Sequence, residues 1–432
     1  MQRRIIYIMI ILLLSFGLKS AFSFDIGQPA PNTSPLTLVE CYNLTLKQSE
    51  KIGINTELIK EAQARFSQAM GTLMPHVTFY SENSWKDALD SGGTSVSSGG
   101  GLEQRFNFQQ TLFKGFREFA AMKGAKFEQA QRINEKLRAE QLLLLDVTNS
   151  FYLLLEEKDD LNSLLSIKKA LINRIHDLMD REKLGRSRRS EVVSTESELY
   201  SVNADIELAK SRVILARQML EFLTGVTITE VIDSDKDFPI LDSEESYLAN
   251  SGVRPDVLAT ENAWEVSKQN KKIAVSGLLP EITVEGNIYT HRIQALEGST
   301  WDAALNVSIP IFEGTEVYGL IQEAAIKATE AELEYRHTRR KTYADIRDAY
   351  VKIQTGIPRT LAFKKALMAS EMNYTLQKSD YKLNLVNNLD VLAAIRTLEN
   401  TRRNFINSYY TTKRSYWQLQ VAVGQLKAGE IK

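Results

Sequence analysis

Two periodicities alternate along this chain. From Leu36, "LTLVECYNLTLKQSEKI" carries apolar residues at helical spacing, and the pattern predicts a helix from about Leu38 to Leu73. A second such stretch runs from about Ser246 to Leu278. Pro75 and Pro280 end them, because proline lacks a backbone donor and disfavours helix in the residue before it. Period-two alternation follows each time. "EITVEGNIYT" sets Ile282, Val284 and Ile288 against Thr283, Glu285, Asn287 and Tyr289. "WDAALNVSI" sets Trp301, Ala303, Leu305, Val307 and Ile309 against Asp302, Asn306 and Ser308. Strands are thus predicted at about 281–290 and 301–309, and earlier at about 76–85 and 101–110. Helical patterns of more than sixty residues come next, at about Phe116–Lys183 and Thr315–Lys382. At about 1.5 Å per residue each reaches on the order of 100 Å, a length that suggests coiled-coil-like packing. A short polar interruption, then a shorter helix, ends each series at Gly225 or Gly424.

The series is one unit used twice. A shift of 199 residues lays Phe113-Lys114-Gly115 on Phe312-Glu313-Gly314, Asp146 on Asp345, Val192 on Val391 and Gly225 on Gly424. Upstream the shift is 205, with Leu73-Met74-Pro75 on Leu278-Leu279-Pro280. The units span 24–225 and 246–424, each helix–strand–strand–helix–helix; 226–245 links them and 425–432 forms a tail. The fold class is mainly α with a small β part.

The N-terminus changes the picture. Arg3 and Arg4 precede an apolar run from Ile5 to Leu14, and Ala21 and Ser23 suit cleavage after Ser23. Residues 1–23 read as a secretory signal peptide; the run is short for a membrane anchor. The arginine pair alone is weak ground for twin-arginine export. Cys41 is the single cysteine, so no internal disulfide forms, and it lies too far in to be a lipid-modified N-terminus. The net charge of −1 gives no support to a nucleic-acid binder.

No later segment approaches the roughly 18 consecutive apolar residues of a spanning helix. An exported chain with amphipathic strand pairs and no such helix fits an outer-membrane barrel. Four strands do not close a barrel, and lipid tolerates no open edge, so the chain oligomerises. Strand arithmetic leaves dimer and trimer open. The competing reading is a periplasmic or surface coiled-coil scaffold without a pore.

The ordered set of features resembles the TolC family of outer-membrane channel proteins. It comprises the duplicated unit, the "LTLVECYNL" opening, and "LMP" and "LLP" before the first strands. It also includes the "LFKG" and "IFEG" steps into the long helices, "RPDVLA" from Arg254, and the tip turns. The resemblance implies a homotrimer with one shared 12-stranded transmembrane β-barrel and a hollow periplasmic α-barrel. It implies a passive exit duct for drug or metal efflux or type I protein secretion, working with a periplasmic membrane-fusion adaptor and an inner-membrane transporter. It implies no chemistry, cofactor or metal.

The family's tip pattern has a glycine, then a small residue three later, an acid six later and an aliphatic seven later. Here it falls on Gly185, Arg188, Glu191 and Val192, and on Asn384, Asn387, Asp390 and Val391. Glycine tolerates positive φ, and asparagine does so fairly well. An acid in the first turn complements the helix dipole, which is also all that an ordinary hairpin needs. By position Tyr381 bonds Glu191, leaving Asp390 as the ring of carboxylates at the periplasmic aperture. Such a ring favours cations. Arg188, Asn384, Val386 and the basic Arg186 and Arg189 depart from the family's pattern and bear on adaptor docking and closure.

Other motifs carry less. "DSDKDFPILDSE" from Asp233 has calcium-loop acids but Phe238 where glycine is needed. The four histidines are scattered, with no ligand pair, and no nucleophile elbow or phosphate loop stands out. Pro358 predicts a kink or local break in the second long helix.

Overall fold

A computed structural model describes residues 35–85, 101–233, 237–238, 240–249, 251–292 and 300–424. The signal peptide, the first inter-strand loop and the C-terminal tail read from the sequence lie outside these residues, as does part of the acidic linker. The helices are α1 (Leu38–Gln48), α2 (Glu50–Gly71), α3 (Arg117–Lys183), α4 (Arg189–Thr224), α5 (Glu244–Ala249), α6 (Pro255–Val275), α7 (Glu316–Lys382) and α8 (Asn388–Val423). The strands are β1 (His76–Asn83), β2 (Leu102–Lys114), β3 (Glu281–His291) and β4 (Trp301–Ser308). The bounds of α3 and α4 reappear in α7 and α8 with a constant offset of 199 residues.

Two helices expected to be continuous are broken. Ser49 is extended and caps α2, its Oγ accepting from Ile52 N at 3.4 Å, while its own N–H closes α1 on the Thr45 carbonyl. A serine that bonds locally competes with the helix ladder. In the second unit Pro255 occupies the start of α6 and holds Arg254 extended at φ −61°, ψ 134°, so α5 cannot run into α6. The predicted break at Pro358 is absent: α7 is one helix of 67 residues. Its backbone is held on both sides of the proline. A Cβ on Gly356 would lie 2.8 Å from Thr412 Oγ1, so α7 and α8 meet at contact distance there. Thr360 Oγ1 bonds both the Ser408 carbonyl (3.1 Å) and Thr412 Oγ1 (3.0 Å).

The four strands form one antiparallel sheet in the order β1-β2-β3-β4. The central pair, β2 with β3, joins the two units, as in Phe106 opposite Ile288 and Asn107 opposite Asn287. Among the described residues β1 and β4 have one partner each, so the sheet ends in two open edges. Alternation across this register gathers Val77, Phe79, Phe106, Phe108, Ile288, Trp301, Leu305 and Val307 on one face, all of them exposed. The other face is polar. Asn107 Nδ2 donates to Glu285 Oε1 (2.7 Å) and Asn287 Oδ1 (2.9 Å), and Asn287 Nδ2 donates to Asp302 Oδ1 (2.8 Å).

Below the sheet the helices make a one-layer wall. In the half nearest the sheet α3 packs on α2 and α6, and α6 on α7; in the far half α3 packs on α4 and α8, and α8 on α7. α3 buries 21 of its residues but α7 only eight, which places α7 at a free side of the wall. Where the helices return, Arg254 is 1% exposed and forks onto Asp256 (2.7 Å to each oxygen) and Asp345 (3.2 Å). It also donates to the Ala422 carbonyl at 3.2 Å, capping the end of α8. Gly424, at φ +79°, leaves room for it: a Cβ there would meet Arg254 Cγ at 2.6 Å.

Candidate functional site at the hairpin tips

Both long-helix hairpins turn at the end of the wall opposite the sheet, and they turn alike. Gly185 has φ +68° and Asn384 φ +58°, the left-handed conformation that ends a helix. In the first turn Arg186 N donates to the Arg181 carbonyl (2.8 Å) and Gly185 N to that of Glu182 (2.9 Å). In the second, Leu385 N donates to Asp380 (3.0 Å) and Asn384 N to Tyr381 (3.1 Å). Val192 and Val391 are both fully buried and start a seam with Leu178, Ile206, Leu392, Ile395 and Leu398.

The return helices start differently. Asn387 and Asp390 form a reciprocal capping box: Asp390 N donates to Asn387 Oδ1 (3.1 Å) and Asn387 N to Asp390 Oδ2 (3.0 Å). Asp390 is exposed, with one carboxylate oxygen engaged in its own helix start. At α4 the Ncap is Arg188, whose side chain makes no cap bond. Glu191 is turned instead toward the other hairpin. Tyr381 OH donates to Glu191 Oε2 at 3.3 Å, and Ser187 Oγ donates to the same oxygen at 2.5 Å. Arg186 and Arg188 are exposed and their side chains make no ion pair among the described residues; Arg189 lies 3.5 Å from Glu182.

Several tip residues were not singled out in the sequence. Asn388 is 1% exposed and donates to Thr195 Oγ1 (3.2 Å) and the Glu191 carbonyl (3.3 Å). It accepts from Arg174 Nε at 2.9 Å. Arg181 crosses to the second turn, donating to the Tyr381 carbonyl (3.3 Å), Asn384 Oδ1 (3.2 Å) and the Lys382 carbonyl (3.2 Å). Higher up, Arg396 forks onto Glu198 at 2.8 and 2.5 Å, and that hydrogen bond holds the Glu198 carboxyl below the usual range. The signal was present but faint: Arg174 and Arg181 are seven apart, on one face of α3.

This architecture defines a class: a helical wall carrying a strand sheet with an apolar face and two open edges, and paired turns at the far end. Residues 250–425 match the model of the outer membrane efflux protein family. Outer membrane protein TolC of Vibrio cholerae serotype O1 is 21% identical over 343 residues, 76% of this chain and 78% of that protein. Outer membrane protein TolC of Escherichia coli K12 is 20% identical over 412 residues, 87% of this chain and 81% of that one. Among solved structures, VceC of Vibrio cholerae superposes with a TM-score of 0.80 at 19% identity, covering 90% of this chain and 96% of that one. CusC gives 0.78 at 17% identity, covering 95% and 96%. The chain is thus similar in sequence, and alike in fold, to the TolC-type outer membrane efflux channels. The TolC and VceC relatives it matches are outer membrane proteins by name.

Proposed function

We propose that three copies of this chain form an exit duct through the outer membrane, closed at its periplasmic end by the six tip turns. The observation that carries this is the sheet. Its exposed apolar face suits lipid, and two open edges in each copy let three copies close twelve strands. A pore-free scaffold would leave that face in water. The free sides of the wall support the same closure. Leu361, Met368, Met372 and Leu376 form an exposed stripe on α7, and Val193, Tyr200, Leu208, Leu215 and Phe222 one on α4. Both follow near-heptad steps, the spacing by which one helix seats against another.

Channels of this family are homotrimeric and work with an adaptor and an inner-membrane transporter. For this chain the adaptor docks at the tips, on Gly185, Arg188, Asn384 and Asn387 and the exposed Leu184 and Leu385. Tyr381 and Glu191 hold the two hairpins of a copy together, and the Asp390 carboxylates line the aperture. The transporter sets the cargo, a drug or metal ion or a secreted protein. The test is current through a planar bilayer. Purified trimers pass a small cation-preferring current, and Asp390→Ala lowers that preference; an unchanged preference removes Asp390 from the aperture, and no current from any variant removes the duct.

A further inference from the structure

The tip contacts converge on Arg174, a side chain to which none of the roles above is given. It lies on α3, on the first hairpin, and is 4% exposed. Its guanidinium carbon sits 3.5 Å from the centroid of the Tyr381 ring, and its Nε donates to Asn388 Oδ1 at 2.9 Å. Its Nη2 is buried without a hydrogen-bond partner. Arg181 places its own guanidinium carbon 4.6 Å from the same ring. Among the described residues no carboxylate oxygen lies within ion-pair distance of Arg174; Asp177 and Glu191 act on it at longer range. A buried cation without a paired anion is unfavourable unless other groups replace its water. Here the replacements are an aromatic face and one amide oxygen. Both belong to the second hairpin, while Arg174 belongs to the first. Any movement that separates the hairpins strips both together.

We propose that Arg174 is the positioning residue of the tip: stacked on Tyr381 and bonded to Asn388, it aims the Tyr381 hydroxyl at Glu191 and latches the second hairpin onto the first. Opening then requires Tyr381 to leave Arg174. The inference rests on reading the tip as the gate, and the test separates the two. Arg174→Met keeps an unbranched, flexible stem and removes the charge, and replacing buried charges by apolar side chains is commonly tolerated. In trimers reconstituted in planar bilayers, Arg174→Met raises the mean current about tenfold over wild type, and Arg174→Lys raises it less. Tyr381→Phe keeps the stacked ring and loses the bond to Glu191. It raises the current alone, and Arg174→Met adds to it; in a Tyr381→Ala background, where only the bond to Asn388 is left to lose, Arg174→Met adds less.

Intact Arg174→Met trimers with wild-type current, beside raised Tyr381→Phe current, overturn the role of Arg174 and leave the gate standing. If neither variant moves the current, the gate itself falls. Should Arg174→Met not assemble, Arg174→Lys in the wild-type and Tyr381→Ala backgrounds decides: equal effects in both overturn the inference, and a larger effect with Tyr381 present supports it.

Discussion

At the residue scale, the tips show which side chains a sequence exposes and which it hides. Glu191 and Tyr381 came from the family resemblance rather than from periodicity, and the two side chains lie within hydrogen-bond distance at 3.3 Å. Arg174 and Asn388 were not, since a buried polar residue looks like a surface one until its partners, some 200 residues away, are placed beside it. Asn387 and Asp390 act first on their own helix. Asn387→Ala removes a cap bond and costs about 1 kcal/mol of local stability. Hydrogen exchange at the first turn of α8 then speeds about fivefold, while unchanged exchange there would mean the cap is not needed.

Cys41 offers a second prediction at this scale. It is fully buried, and burial pushes its thiol up to about 12. The raised value favours the neutral thiol in the folded chain. The contribution to stability is therefore complete below the unfolded thiol's value of about 8.5 and is lost as pH rises toward 12. Native protein at pH 8 resists a maleimide that labels it fully in denaturant; rapid native labelling contradicts the burial.

At the element scale, periodicity gave the type and length of the long helices and the faces of the strands, because both depend on spacing alone. It missed the breaks at Ser49 and Arg254, where one local hydrogen bond or one proline outweighs a continuing apolar pattern. It allowed a kink or a break at Pro358, and the helix continues through the proline, packed there against α8. Gly356 tests that packing. Alanine normally favours a helix over glycine by about 1 kcal/mol, yet here its Cβ would press on Thr412, which is pinned through its own hydroxyl. Gly356→Ala should lower the melting temperature, by about 1–3 kcal/mol of overpacking less the helix gain. A rise in melting temperature would show that α7 and α8 can part freely.

At the scale of the whole molecule, duplication was the most legible feature: a single offset of 199 residues relates the helix hairpins in sequence and in structure. What no single chain displays is the closure of the sheet and the wall, because in the proposed trimer the partner of each open edge is another copy. The apolar stripes on α4 and α7 and the free edges of β1 and β4 are both accounted for by the proposed ring of copies. The most direct test is the native mass of the protein extracted in mild detergent from outer membranes. The account predicts a particle of three chains, stable until heated and absent from the soluble fraction. A soluble monomer, or a membrane particle of any other copy number, would contradict it.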